Sequence, residues 1–319
     1  MNALIQVRIA DKRPMASDIV GFVLEAANGE ALPTFEAGAH IDVHVPGGAV
    51  RQYSLHELPS EHGKYHIGVL RDPQSRGGSV QLVDHVDAGD TLAISAPSNH
   101  FPLHGEGKSI LFAGGIGITP ILCMAKQLER EGRDFELHYC GRSQSRMAFL
   151  EELNEAAFAA RVHVHVDDGA PDQQLDARSA IGEAAADKHL YVCGPTGFMD
   201  HVLGVARALD WTESCLHREY FAATPIDHAG DGPFELQLAR SGQVIEVGTT
   251  QSAAQALLEA GIAISLSCEQ GVCGTCLTKV VQGTPDHRDL YLTDDEHARN
   301  DCFMPCCSRA RTPRLVLDL

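Results

Sequence analysis

The chain lacks the features that mark exported, membrane-spanning and nucleic-acid-binding proteins. Its first 25 residues contain no apolar core of signal-peptide length, so we expect no export. Its longest uncharged stretch, Ser109 to Ala125, is broken by glycine and proline and falls short of the roughly 20 apolar residues that cross a bilayer. Lys and Arg number 25 against 43 Asp and Glu, and the net charge is -18. We therefore expect neither a membrane nor a nucleic-acid partner.

No cysteine occurs before Cys123, and six of the ten lie from Cys268 onward. This distribution does not suit disulfide bonds spread through a fold, and it indicates a local site in a reducing compartment. We expect the cytoplasm. The sequence also contains no internal repeat, low-complexity tract, nucleophile elbow or zinc-protease motif.

The C-terminal cysteines have the spacing of a 2Fe-2S site. Cys268, Cys273 and Cys276 form the C-x4-C-x2-C run that is typical of plant-type ferredoxins. Four-cysteine zinc sites usually contain two C-x2-C pairs, and this sequence has one. The spacing therefore predicts a cluster that carries one electron at a time. Spacing alone does not choose the fourth ligand, for which there are three candidates: Cys302, Cys306 and Cys307.

The whole chain divides by its sequence pattern into three parts. Short β patterns punctuated by glycine and proline predict an antiparallel β-barrel over residues 1–103. Strands alternate with helices over residues 108–222, which predicts a doubly wound parallel sheet of the α/β class. A glycine- and proline-rich linker, Ala223 to Pro233, then leads to a third domain over residues 233–319, which contains the cysteine run.

Two segments of the first part suit a flavin phosphate. The strand Arg51-Gln52-Tyr53-Ser54-Leu55 offers a cation for phosphate, an aromatic ring for the isoalloxazine and a hydroxyl for its N5 atom. A Tyr-Ser pair alone is more often ordinary β structure. The segment Arg76-Gly77-Gly78-Ser79, however, precedes an expected helix, Val80 to Val86, whose N-terminal amides attract an anion. Together the two segments predict a flavin site.

Two segments of the second part suit a nicotinamide nucleotide. The segment Gly114-Gly115-Ile116-Gly117-Ile118-Thr119-Pro120 follows a buried strand and opens an expected helix, Pro120 to Glu131, so backbone amides can approach a pyrophosphate. It is not the Rossmann GxGxxG motif, because Pro120 replaces the last glycine. Cys193-Gly194-Pro195 ends another strand at the edge where ligands of open α/β sheets collect. Cys193 taken alone is an ordinary small buried residue.

Histidines on one strand raise the question of a second metal site. His163 and His165 share a face of the strand Arg161 to Val166 because side chains alternate along a strand. No third ligand is evident nearby, so we expect no metal there.

These motifs together resemble the phthalate dioxygenase reductase family of flavin and iron-sulfur reductases, over essentially the whole chain. The segments that carry the resemblance are RQYSL at 51–55, RGGS at 76–79, FAGGIGITP at 112–120, YVCGP at 191–195, HREYFAA at 217–223, CEQGVCGTC at 268–276, DHRDL at 286–290 and PCCSR at 305–309. The resemblance implies an FMN barrel, an NADH domain and an α+β ferredoxin domain of the β-grasp type. It also selects Cys306 as the fourth cluster ligand.

The resemblance further implies which residues bind the two nucleotides. The FMN would be lined by Arg51, Tyr53, Ser54, Leu70, Arg76, Gly77, Gly78, Ser79, Thr119 and Phe221, with Phe221 covering a flavin face. NADH would contact Gly115, Gly117, Pro120, Cys193, Gly194 and Pro195. Ser54, Thr119 and Cys193 would bound the hydride path. Arg142, Ser143 and Arg146 lie near the expected adenosine ribose and can hold a 2′-phosphate, which would favour NADPH.

The implied function is electron transfer from NADH through FMN and a 2Fe-2S cluster to a Rieske-type oxygenase that acts on an aromatic acid. We also expect a monomer. One alternative is the same role for an oxygenase that acts on a quaternary amine. Another is an iron-sulfur redox sensor that binds protein or DNA, against which the nucleotide motifs and the acidic charge argue.

Overall fold

The computed structural model describes residues 4–59, 63–74, 77–221 and 230–319. These residues form two compact units, which divide after Phe221. Most of the predicted linker lies outside the described residues. Within the described ranges, none of the helices combines the length and apolar character needed to cross a bilayer.

The first unit begins with seven antiparallel strands and one helix. They are β1 (Ile5–Ala16), β2 (Ile19–Ala26), β3 (Ala39–His44), β4 (Val50–Ser54), β5 (Tyr65–Leu70), α1 (Gly78–His85), β6 (Thr91–Ile94) and β7 (Ser98–Asn99). The strand order is β4-β3-β6-β1-β2-β5, with β7 on β3. A bridge between Leu55 and Ile67 joins the two ends of this sheet. Alternate residues such as Val7 and Ile9 are fully buried, as expected for a barrel with an apolar interior.

The first unit continues with alternating strands and helices. They are β8 (Ser109–Gly114), α2 (Ile118–Arg130), β9 (Phe135–Gly141), α3 (Leu150–Glu155), β10 (Val162–Val166), α4 (Ala177–Ile181), β11 (His189–Cys193), α5 (Thr196–Arg207) and β12 (Leu216–Glu219). The strands are parallel in the order β10-β9-β8-β11-β12.

Helices cover both faces of this parallel sheet, as the alternation of strands and helices predicts. All of β8 is buried, because α2 packs on one face while α4 and α5 pack on the other. The fifth strand, β12, was not evident from the sequence. It is four residues long and contains one apolar residue, Leu216, so it has no alternation to detect.

The second unit is an α+β domain around the cysteine loop. Its elements are β13 (Phe234–Leu238), β14 (Val244–Val247), α6 (Ala253–Glu259), β15 (Thr278–Gln282), β16 (Pro285–Asp286), α7 (Asp294–Arg299), β17 (Cys302–Phe303), β18 (Arg309–Ala310) and β19 (Arg314–Leu317). A mixed sheet has the order β14-β13-β19-β15-β17, and β16 pairs with β18. Helix α6 begins at a capping box made by Ser252 and Gln255, and it packs Leu257 against Leu236 and Leu315 of the sheet. This is the architecture expected of a ferredoxin domain.

Candidate functional site

An anion-binding corner forms where β4 meets the start of α1. Gly77 has φ +85°, in the left-handed region that favours glycine, and among the described residues no side chain caps the helix. The N-terminal amides of a helix attract an anion. The Arg51 side chain lies against Gly78, where an added Cβ would be 2.7 Å from Arg51 Cγ. Ser79 accepts a hydrogen bond from the Asp72 amide at 3.2 Å. Arg76 lies outside the described residues.

Apolar surface suited to a planar ring lies near the ends of these strands. Tyr53 is half-buried on β4, and burial raises the pKa of its phenol, so the ring stays neutral. Leu70 ends β5 with 36% of its surface exposed, and Phe221, beyond β12, is 40% exposed. Large apolar side chains with this much exposure are what a bound aromatic ligand would cover.

The loops at the carboxyl edge of the parallel sheet lie in direct contact. Gly115, with φ +54°, and Gly117 bound a short 3-10 turn, so α2 begins at Ile118 and not at Pro120 as expected. A Cβ on Gly117 would overlap the backbone of Cys193. Gly117 is thus required by close packing, and the two predicted nucleotide loops share one edge.

The second of these loops leads directly into a helix. A Cβ on Gly194 would be 2.9 Å from Gly114 Cα, so the loop after β11 also touches the end of β8. Pro195 is the N-cap residue of α5. Pro120 is buried in the first turn of α2. Two helix N-termini therefore face the same edge, which suits a pyrophosphate.

A half-buried carboxyl group that the sequence motifs did not single out, Glu219, joins the two halves of the site. The Ser54 hydroxyl donates a hydrogen bond to Glu219 Oε2 at 3.4 Å, across 165 positions of sequence. Burial raises the pKa of Glu219 to about 8, so this carboxyl is protonated at neutral pH. Glu219 is also the register partner of Cys193 on the neighbouring strand, and burial raises the pKa of the Cys193 thiol. The signal for Glu219 was its place in the HREYFAA segment.

Thr119 lies where the barrel touches the α/β part of the same unit. It is 2% exposed, and its hydroxyl donates to the Ile116 carbonyl at 3.1 Å. An added Cβ on Gly68 of β5 would be 3.0 Å from Thr119 Cγ2. Gly68 was not among the predicted site residues, because an isolated glycine in a strand gives no sign of what approaches it.

The basic residues after β9 lie close to acidic ones. Arg142 is exposed directly beyond the strand. Arg146 Nη2 is 3.4 Å from Asp18 Oδ2, so its charge is matched by a carboxylate of the barrel. Asp167 and Asp168 hydrogen-bond through their amides to the end of β9 and to Arg142, which places two acidic residues beside it. Acidic residues next to Arg142 make this region less favourable for a 2′-phosphate.

In the second unit the cysteine run folds into a loop that gathers its sulfurs. Gly271 and Gly274 have φ +74° and +73°, and a Cβ on Gly274 would overlap the ring of Tyr291. The Gln270 amide donates to Cys268 Sγ at 3.4 Å, and Cys273 Sγ lies 3.2 Å from Thr275 Oγ1. Such donors stabilise thiolate ligands.

Among the three candidates for fourth ligand, Cys306 lies with the others. Hydrogen bonds from Cys273 and Cys306 lower the pKa of Cys268, and a hydrogen bond from Cys306 lowers that of Cys276. Cys307 turns instead toward Gly271, where an added Cβ would overlap its sulfur. Cys302 pairs through β17 with Lys279 on β15. The four sulfurs thus form a set with the chemistry that an iron-sulfur cluster requires.

Comparison with known proteins agrees with both units. The family described as "2Fe-2S iron-sulfur cluster binding domain" matches residues 236–311, and "Oxidoreductase NAD-binding domain" matches residues 111–203. Vanillate O-demethylase oxidoreductase of Pseudomonas putida is 56% identical over 318 residues, covering 99% of this chain and 100% of that protein. Phthalate dioxygenase reductase of Burkholderia cepacia is 40% identical over 320 residues, covering 100% of this chain and 98% of that protein.

A solved structure gives the same result for the fold. It is a phthalate dioxygenase reductase, described as a modular structure for electron transfer from pyridine nucleotides to 2Fe-2S, with a TM-score of 0.77 and 40% identity. The match covers 99% of this chain and 98% of that one. The chain is an oxidoreductase, and it belongs to the family of flavin and iron-sulfur reductases that includes phthalate dioxygenase reductase and vanillate O-demethylase oxidoreductase.

Proposed function

We propose that this chain transfers electrons from NADH through FMN and a 2Fe-2S cluster to a Rieske-type oxygenase that acts on an aromatic acid of the vanillate or phthalate type. The observation that carries the proposal is that Glu219 lies beside both Ser54 of the barrel and Cys193 of the parallel sheet, in a unit that also contains an anion-binding corner. The names of the relatives support the choice of partner and substrate. We further propose that the chain acts as a monomer.

The flavin would lie between the barrel strands and the α/β part of the first unit. Arg51 and the amides of Gly77, Gly78 and Ser79 would hold the phosphate, with Arg76 assisting. Tyr53, Leu70 and Phe221 would contact the ring system. FMN fits this corner because its one phosphate would be matched by arginine side chains and one helix N-terminus.

NADH would lie along the carboxyl edge of the parallel sheet. The turn Gly115–Gly117, Pro120, Gly194 and Pro195 would bring amides and two helix ends to the pyrophosphate. Arg142 would lie near the ribose. The matched charge of Arg146 and the acidic residues beside Arg142 support NADH over NADPH.

FMN held by these residues would supply the chemistry that links a two-electron hydride donor to a one-electron cluster. The hydride step needs no acid or base from the protein. Thr119 and Cys193 would act as apolar walls that exclude water from its path, since both are buried. The Ser54 hydroxyl would face the flavin N5 atom, with Glu219 fixing the direction of its O–H group. Cys268, Cys273, Cys276 and Cys306 would ligate the iron atoms.

Replacement of one cluster ligand tests the division of labour. Cys273→Ser should abolish the cluster absorbance and NADH-dependent cytochrome c reduction, while stopped-flow bleaching of the flavin by NADH persists. Cys302→Ser is the matched control, because Cys302 lies on β17 with its backbone paired to Lys279. If Cys273→Ser retains FMN but loses flavin bleaching, the two steps are not separate. Cofactor extraction that yields FAD in place of FMN, or zinc in place of iron, would contradict the cofactor assignment.

The partner is tested by reconstitution. The purified reductase is combined with a vanillate- or phthalate-type oxygenase and, separately, with an oxygenase that acts on a quaternary amine, and NADH oxidation coupled to product is measured. We expect coupled turnover with the aromatic-acid oxygenase. Turnover with the amine oxygenase alone would overturn the substrate class and leave the electron-transfer role intact.

A further inference from the structure

A second group of potential ligands lies on the face of the parallel sheet, in the first unit. Glu136 and His138 belong to β9, and His163 belongs to the edge strand β10, directly opposite His138 in the pairing register. One ligand atom from each of these three side chains lies within 4.8 Å of the other two. From the sequence no third ligand was evident near His163 and His165. The structure brings two further potential ligands, Glu136 and His138, beside His163 from the neighbouring strand.

The central histidine is oriented as a metal ligand would be. His138 is 6% exposed at its side chain, and its Nδ1 atom is 3.1 Å from His165 Nε2. Its Nε2 atom is buried and has no hydrogen-bond partner among the described residues. An N–H on Nδ1 directed to His165 leaves Nε2 with a free lone pair, the arrangement found where an outer residue fixes the tautomer of a ligating histidine. A buried nitrogen without a partner is otherwise unfavourable.

A carboxylate held in place by a lysine completes the group. Lys108 donates a hydrogen bond to Glu136 Oε1 at 2.7 Å. The other oxygen, Oε2, lies 3.9 Å from His138 Nε2. Lys108 thus orients the carboxylate, although its positive charge opposes a cation and limits the affinity.

We propose that Glu136, His138 and His163 bind a divalent transition-metal ion of the zinc class. Two imidazoles and one carboxylate are a donor set that zinc accepts, whereas calcium and magnesium prefer oxygen ligands alone. With metal-ligand bonds near 2.0 Å, tetrahedral ligands lie about 3.3 Å apart, so ligand atoms now within 4.8 Å of one another must close by up to about 1.5 Å. The exposed His163 and half-buried Glu136 can rotate to do so, while His138 is held by its burial and by His165. The fourth position would face solvent.

Binding would join the edge strand to its neighbour. β10 is the outermost strand of the sheet, and a metal between His138 and His163 would connect it to β9. The ligands occupy the middle and the start of their strands, whereas the nucleotide loops follow the carboxyl ends of β8 and β11. We therefore expect zinc to raise the thermal stability of the protein and to leave NADH-to-flavin electron transfer unchanged.

The test uses the full-length protein with its flavin and cluster in place, after treatment with a chelator that leaves the cluster spectrum unchanged. Equilibrium dialysis against zinc chloride and metal analysis give the stoichiometry, and thermal unfolding is followed with and without zinc. We expect the wild type to bind one zinc equivalent that His163→Ala and Glu136→Gln do not bind. His201→Ala, an exposed histidine on α5, is the matched control and should bind as the wild type does. His165→Ala should weaken binding by about 10- to 100-fold without changing the stoichiometry, as loss of an outer partner does.

Two results would overturn the proposal. In the first, His163→Ala and the wild type bind the same amount of zinc and show the same thermal shift. In the second, His165→Ala abolishes binding while His163→Ala retains it, which would assign the site to different residues. NADH-dependent flavin bleaching is measured for every variant, so that a misfolded protein is not mistaken for a lost site.

Discussion

Substitution of the half-buried Glu219 carboxyl group, Glu219→Gln, should stabilise the protein in a pH-dependent way. The pKa of Glu219 is raised from 4.5 to about 8, with burial as the main cause. Above pH 4.5 the unfolded chain loses this proton while the folded protein keeps it, so folded stability falls as pH rises toward 8. At pH 7 the unfolded carboxyl is 2.5 units above its pKa, and at 1.36 kcal/mol per unit the penalty is about 3 kcal/mol. Glutamine removes this penalty and can still accept the bond from Ser54.

The assay is urea unfolding of wild type and variant at several values between pH 5 and 8, followed by flavin release. The gain in free energy of unfolding for Glu219→Gln should be near zero around pH 4.5 to 5, should grow to about 3 kcal/mol at pH 7, and should level off above pH 8. Glu213→Gln is the control of opposite sign, because a hydrogen bond from Arg207 lowers the pKa of that exposed carboxyl. Loss of the Glu213 carboxylate should lower the free energy of unfolding slightly, by less than about 1 kcal/mol. A difference between Glu219→Gln and wild type that is constant across this pH range would show that Glu219 titrates normally, and would refute the reasoning.

Three further predictions concern the cluster, the nucleotide and the packing of the first unit. Cys306→Ser should lose the visible spectrum of the cluster and Cys307→Ser should keep it, because the sulfur of Cys306 is the one that meets Cys268 and Cys276. The reverse pattern would mean that the C-terminal segment is displaced by one residue. The ratio of kcat/KM for NADH over that for NADPH should exceed one, and Arg142→Ala should change the ratio by less than about tenfold, since acidic residues flank that arginine. A preference for NADPH that this substitution reverses would contradict the prediction. Gly68→Ala should lower the free energy of unfolding, measured in urea, by about 1 to 3 kcal/mol, because the added Cβ would lie 3.0 Å from Thr119 Cγ2. If the variant unfolds at the same urea concentration as the wild type, Thr119 moves freely.

Much of the fold could be predicted from the sequence because it is encoded locally. Glycine- and proline-punctuated strands, strand-helix alternation and a C-x4-C-x2-C run each depend on residues within a few positions of one another. The elements that escaped prediction were short, and among them β12 has four residues and β16, β17 and β18 have two each. Segments of this length have no measurable period, and they become strands only when a partner strand is beside them.

The candidate site likewise has features that are encoded locally and features that depend on how the whole chain packs. From the sequence alone one could predict which segments suit a phosphate and that three cysteines can share a cluster, since spacing along a loop sets which side chains and amides converge. Only the tertiary structure brought Glu219 to Ser54, aligned Cys306 with its partners, and set His138 opposite His163. These contacts join residues that are distant in sequence or lie on separate strands. Burial and strand register arise when the whole chain packs, and they decide both the pKa of a carboxyl group and which side chains can bind the same ion.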